Sequence, residues 1–172
     1  MNTNFEQCFA WLMEHEGGFV DHPDDPGGVT NLGVTQRVYE AYCIEQDFVA
    51  KDMRDLTEED VLPIYKRNYW DRVMGDKLPG GIDWSVFDWA VNSGTGRAAR
   101  MLQKHAGVTA DGVIGQQTLK AVYHLDPKET VERLCMRRQA FYERLKTFET
   151  FGRGWTRRNN ETREQALSLI TT

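Results

Sequence analysis

The chain has 172 residues, of which 40% are hydrophobic and 11% aromatic, enough apolar surface for one core-bearing domain and too much for a disordered segment. A net charge of -5 argues against nucleic acid as a partner, because a phosphate-binding surface needs an excess of Lys and Arg. Cys8, Cys43 and Cys135 are odd in number, lack paired spacing and each lie in a helical pattern, so buried reduced thiols are expected and neither disulfides nor metal ligands.

Thr3 with Glu6 has the capping-box spacing and opens a first helix. Its apolar residues Phe5, Cys8, Phe9, Leu12 and Met13 recur at steps of three and four, and Glu16 falls on the same stripe directly before Gly17 and Gly18. From Phe19 to Thr35 the chain is crowded with turn formers and reads as two tight turns with a short loop or β-hairpin. Thr35 then caps a second helix through about Ile44, with Val38, Ala41 and Tyr42 inward. Thr57 followed by Glu58, Glu59 and Asp60 starts a third, which Pro63 kinks or shifts. After a turn from Leu78 to Gly81, Ile82, Val86, Trp89 and Ala90 mark a strongly apolar, central helix. Thr95 caps the next through Ala106, and Gly115 to Tyr123, Pro127 to about Phe148 and Thr156 to about Ile170 complete the set. The fold class is therefore mainly α, one unit of residues 1–172 in two lobes, 1–90 with the Glu16 helix and turn-rich loop and 91–172 helical.

An acid on an apolar stripe at a helix end is out of place unless used. Desolvation and the negative end of the helix dipole both disfavour its ionised form, which suits Glu16 to protonating a leaving group. The bland alternative is a surface glutamate at a frayed helix end. A loop folding back over that end brings Asp25 and Thr30 toward Glu16, a second carboxylate and a hydroxyl able to hold a water. Cleavage of a glycosidic bond needs such a pair, a protonated acid at the leaving oxygen and a second group that activates water or supports the cationic transition state.

The run Glu16, Gly17, Gly18, Phe19, then Pro23, Asp25, Gly27, Gly28, Thr30 and Gly33 resembles the N-terminal signature of family 108 of glycoside hydrolases, the N-acetylmuramidases of phage lysis cassettes and prophages. More loosely it is similar to the glutamate, aspartate, threonine triad of phage-type lysozymes, with eight residues between Glu16 and Asp25 and four between Asp25 and Thr30, one residue off in the second gap. The resemblance implies a lysozyme-like helical fold, peptidoglycan glycan strands as substrate, Glu16 as catalytic acid and Asp25 with Thr30 as its partners. It implies no cofactor and no metal. It also implies an endolysin; with no basic N-terminal region and early apolar runs of two or three residues, neither a secretory signal nor a membrane anchor is expected, so the chain is expected to stay in the cytoplasm until a holin-like partner releases it, and to be monomeric. The acidity of the chain departs from the usual basic lysozyme. Its charge is uneven, acids weighting the first third and Arg137, Arg138, Arg144, Arg153, Arg157 and Arg158 the end, as solvated helix faces or as a wall-binding patch.

Asp111, Gly112, Gly115 and Thr118 look like the turn of small helical peptidoglycan-binding modules, although a turn and a helix entry explain them without a ligand. Asn92 offers an amide to a sugar or ends its helix, and Tyr69 and Trp70 offer flat faces to sugar rings, with core packing expected for one of the two. His15, His22, His105 and His124 have no zinc spacing, and the acids Asp21, Asp24 and Asp25 lack that of a calcium loop. Two other functions fit the same residues: a noncatalytic wall-binding or secretion-accessory protein, and a lytic transglycosylase, which needs one carboxylate only.

Overall fold

The structure, a computed structural model, describes residues 4–21 and 28–170; Thr3, His22, Asp24 and Asp25 fall outside them. The described elements are α1 (Phe5–Met13), β1 (Thr30–Asn31), β2 (Val34–Thr35), α2 (Gln36–Glu45), α3 (Glu58–Tyr65), α4 (Ile82–Ser93), α5 (Thr95–His105), α6 (Gln116–Val122), α7 (Pro127–Tyr142) and α8 (Phe148–Ser168). The fold is mainly helical, with the hairpin after the first helix that the turn formers predict. The chain divides into two compact units, one of Glu6–Asn68 and the other of Tyr69–Thr172 together with Met1–Phe5.

In the first unit the α1 stripe behaves as its period requires, since Cys8, Phe9 and Leu12 are buried. The helix stops at Met13, however, and Glu16 lies beyond its last turn, which His15 N–H closes onto Leu12 O at 3.0 Å. Strands β1 and β2 pair antiparallel with Thr30 opposite Thr35 and Asn31 opposite Val34, and Thr30 also bridges to Val20. Buried Asn31 ties this hairpin to the following loop by donating to Met53 O at 2.7 Å. Thr35 caps α2 through Val38 N–H as expected. The inward face of α2 is Tyr39 and Cys43, a single four-residue step, so Val38 and Ala41 point to solvent instead of inward. At the start of α3 the Asp60 carboxylate accepts from both Thr57 N–H and the Thr57 hydroxyl at 2.9 Å. Pro63 leaves that start in place; the irregularity follows it, as a π-helical turn over Lys66–Trp70.

In the second unit α4 is central, buried from Ile82 to Ala90 and packed against α5, α7 and α8. Its acids are the costly part. Asp88 is fully buried and accepts from Arg138 Nη1 at 2.5 Å, Arg158 Nε and Nη2 at 3.0 and 2.7 Å and Thr162 Oγ1 at 3.1 Å. Burial pushes the Asp88 carboxyl up, but the two guanidinium groups outweigh it and hold the group well below the usual carboxylate range. The donors to Asp83 among the described residues are neutral, Asn4 Nδ2 at 2.8 Å and Trp84 N–H at 2.7 Å among them, and burial pushes its carboxyl up to about 6. Gly94, not Thr95, occupies the cap position of α5, at φ 91°.

The last two helices break elsewhere than their pattern suggests: α7 ends at Tyr142 and α8 begins at Phe148, so Gly152 and Gly154 sit inside a helix. The reason is packing. The Phe148 ring covers Gly152 so closely that a Cβ there would meet it at 2.6 Å. All three cysteines are buried and free, and burial pushes the Cys135 thiol up to about 12.

Candidate active site

Glu16 is half-buried, and its carboxylate lies against the turn of the hairpin. The hairpin turns through Leu32 and Gly33, both with positive φ (48° and 73°), a backbone glycine adopts freely and leucine does not. The Glu16 carboxylate lies directly on the bare backbone of Gly33: a Cβ there would be 2.6 Å from Glu16 Oε2 and would also collide with the Tyr65 hydroxyl. Tyr65 is buried, its ring against Phe9 at a centroid distance of 5.7 Å, and its hydroxyl donates to Leu32 O at 3.0 Å. Helix α3 therefore holds the hairpin turn, and the turn carries the acid. Tyr65 lay outside the sequence reading; a lone tyrosine on a helical stripe reads as core.

Thr30 is the middle member of the small ribbon, paired on one side with Val20 and on the other with Thr35. Its hydroxyl donates to Gly28 O at 3.3 Å in an exposed setting. Asp25 lies outside the described residues. Nearby, Arg54 stands over the Phe19 ring at 4.9 Å and within 3.8 Å of Asp21, beside a polar cavity of about 150 Å³ that Val29, Gln36 and Met53 also line. That arginine fastens the strand leading out of Gly18 to the Met53 turn.

The other sequence candidates belong to the second unit. Trp70 is fully buried, tilted against Phe5 and edge-to-face with Phe87 at centroid distances of 5.3 Å, and donates from Nε1 to Asp76 at 2.6 Å. It has no face to offer a sugar. Tyr69, its neighbour in the π-helical turn, is half-buried. Asn92 is exposed in the last turn of α4, one residue before its end, and its Oδ1 accepts from the Tyr142 hydroxyl at 2.8 Å and from Ser93 at 3.0 Å. The Asp111 turn is held from within: Gln103 donates to Asp111 Oδ1 at 2.7 Å and accepts from Gly112 N–H at 2.9 Å, with Gly112 at φ 91°. No group of three or more metal-ligating side chains occurs among the described residues, and no helix there is long and apolar enough to cross a membrane.

The family model described as Glycosyl hydrolase 108 matches residues 9–94, and the one described as Predicted Peptidoglycan domain matches residues 97–160. Among solved structures the chain is similar to SagA of Brucella abortus, with 42% identity over 98% of this chain and 97% of that one and a TM-score of 0.83. No curated protein matches it.

Proposed function

The chain belongs to glycosyl hydrolase family 108, and from that membership we propose that it cleaves the β-1,4 bond between N-acetylmuramic acid and N-acetylglucosamine with Glu16 as general acid. It is a peptidoglycan hydrolase, its glycoside hydrolase region followed by a peptidoglycan domain. The observation that carries the role of Glu16 is its carboxylate resting on Gly33 beside the Tyr65 hydroxyl. In this reading Glu16 gives its proton to the glycosidic oxygen as the bond to the muramic acid anomeric carbon breaks. Water held by Thr30 and Asp25 adds to that carbon, and its proton passes to Asp25. The part given to Asp25 rests on the resemblance of the motif; that of Thr30 is supported by its exposed hydroxyl.

The biological role we attach to this chemistry is host-wall lysis by an endolysin acting as a monomer once a holin-like partner opens the membrane. Glu16→Gln should melt like the wild type and lose wall lysis, because an amide cannot donate the proton. Asp25→Ala and Thr30→Ala should each slow turnover by about 100-fold. Mass spectrometry of digested wall should show reducing N-acetylmuramic acid; anhydro products would replace the hydrolase by a lytic transglycosylase. A folded Gln variant with ordinary activity would leave the noncatalytic wall binder.

A further inference from the structure

Between α7 and α8 runs a cleft of about 520 Å³, with Glu132 and Arg163 toward one end and Glu143 and Thr156 toward the other. Three buried polar atoms on its walls have no hydrogen-bond partner among the described residues: Gln139 Oε1, Asn159 Oδ1 and Arg163 Nε. The orientation of both amides is fixed by what their nitrogens do. Asn159, only 3% exposed, donates from Nδ2 to Cys135 O at 3.0 Å, and Gln139 donates from Nε2 to Glu143 at 3.1 Å and to Thr156 at 3.0 Å. Their oxygens are therefore acceptors left over, and Arg163, whose Nη1 pairs with Glu132 at 3.2 Å, has a donor left over. Burying a donor or acceptor unpaired is unfavourable, and three in one cleft mark a place that something else completes.

We propose that this cleft seats the stem peptide of peptidoglycan, a reading that rests on the chain being a peptidoglycan hydrolase. Facing each other across the cleft, the acceptor Gln139 Oε1 on α7 and the acceptor Asn159 Oδ1 with the donor Arg163 Nε on α8 match the N–H and C=O groups of an extended peptide backbone. The length fits: the eleven residues from Glu132 to Glu143 rise about 16 Å along α7, room for an extended tetrapeptide of about 14 Å. So does the charge. Glu143 has no cationic partner among the described residues, so it can receive the free amine of the diamino acid in an uncrosslinked stem. The thiol of Cys135 in the same wall stays protonated, adding no competing charge. Exposed Met136 forms an apolar lip over which the peptide enters.

The test uses the full-length Glu16→Gln chain, so that binding is read without turnover, and two probes: a synthetic stem tetrapeptide with a free side-chain amine, and a peptide-free oligomer of N-acetylglucosamine, whose acetamido groups offer the same N–H donors. Calorimetry and NMR should show the tetrapeptide binding with shifts at Ala140, which lines the cleft. Filling the cleft by Ala140→Phe, or removing one acceptor by Gln139→Met, should weaken that binding about tenfold or more while the variants stay folded. Where Ala140→Phe fails to fold, Gln139→Met and the wild-type shifts decide. No tetrapeptide binding, or binding unchanged by Gln139→Met, overturns the proposal; so does loss of sugar-oligomer binding with peptide binding intact. Lysis by the Glu16→Gln chain would refute the catalytic assignment alone and leave this binding result standing.

Discussion

Replacing Gly33 by alanine separates backbone strain from the geometry of the acid. Alanine at φ 73° should cost about 1–2 kcal/mol of stability, the usual penalty for an L-residue in the left-handed region. In a chain of this length that is a fall in melting temperature of about 2–8 °C. The second effect is local. The new Cβ would stand 2.6 Å from Glu16 Oε2, so the carboxylate has to retreat by about 1 Å to reach ordinary contact, and the Tyr65 hydroxyl has to leave Leu32 O. A displacement of that size at a reacting group costs about 100-fold in rate. Gly107→Ala is the control, because Gly107 has the same kind of backbone (φ 69°) with nothing within 4 Å of the position. Both variants should melt lower by similar amounts, and only Gly33→Ala should lose turnover of purified wall. Equal activity in the two folded variants would refute the claim that Gly33 is there to seat Glu16.

Three further outcomes are expected. Asp83 has a folded pKa raised to about 6 from 3.8, so its native state holds the proton more tightly than the unfolded chain; stability is complete below about pH 4 and falls as pH rises toward 6. Asp83→Asn should remove that slope and stabilise the protein near neutral pH by up to about 3 kcal/mol, and a variant whose pH profile of melting parallels the wild type would contradict the assignment. Arg138→Met should cost about 3–5 kcal/mol in denaturant titrations, since it leaves buried Asp88 with Arg158 alone; a loss under about 1 kcal/mol would show that the pair is dispensable. Expressed alone, the chain should leave intact cells unlysed until a pore former permeabilises the membrane, and lysis without one would remove the endolysin route.

Legibility in the sequence follows how local each cause is. The α1 stripe, the Thr35 cap, the acids at the start of α3 and the apolar run of α4 act within one or two turns, and each could be read before any coordinates. The register of α2 could not. Its sequence offers Val38 and Tyr39, Tyr42 and Cys43 as rival pairs, and only the neighbours that bury Tyr39 and Cys43 decide. Gly152 looks like a break because its compensation is the Phe148 ring, whose placement over it depends on the helix already existing. Tyr69 and Trp70 are adjacent in a π-helical turn, where the ordinary helical period gives no guide to which ring is buried. Around the acid, the motif located Glu16 and the glycine, but its support came from Tyr65, bonded to a carbonyl 33 residues away.

The same distinction explains why the acids of α4 differ so much in consequence. A carboxylate in an otherwise apolar helix signals that a partner exists, without saying which. Asp88 finds Arg138 and Arg158, 50 and 70 residues further along, and becomes the junction of α4, α7 and α8. Asp83 accepts from the Asn4 amide and from backbone N–H groups, with no cationic partner among the described residues, and remains a destabilised ion near neutral pH. The Asp88 junction also has a bearing on the cleft. Arg138 on α7 and Arg158 on α8 grip one buried acid from two helices, so the two helices are held together at that level and the groove between them keeps its width. Unpaired acceptors on the walls of a groove are tolerable only where the walls cannot simply collapse to satisfy them, and the buried ion pairs supply that constraint.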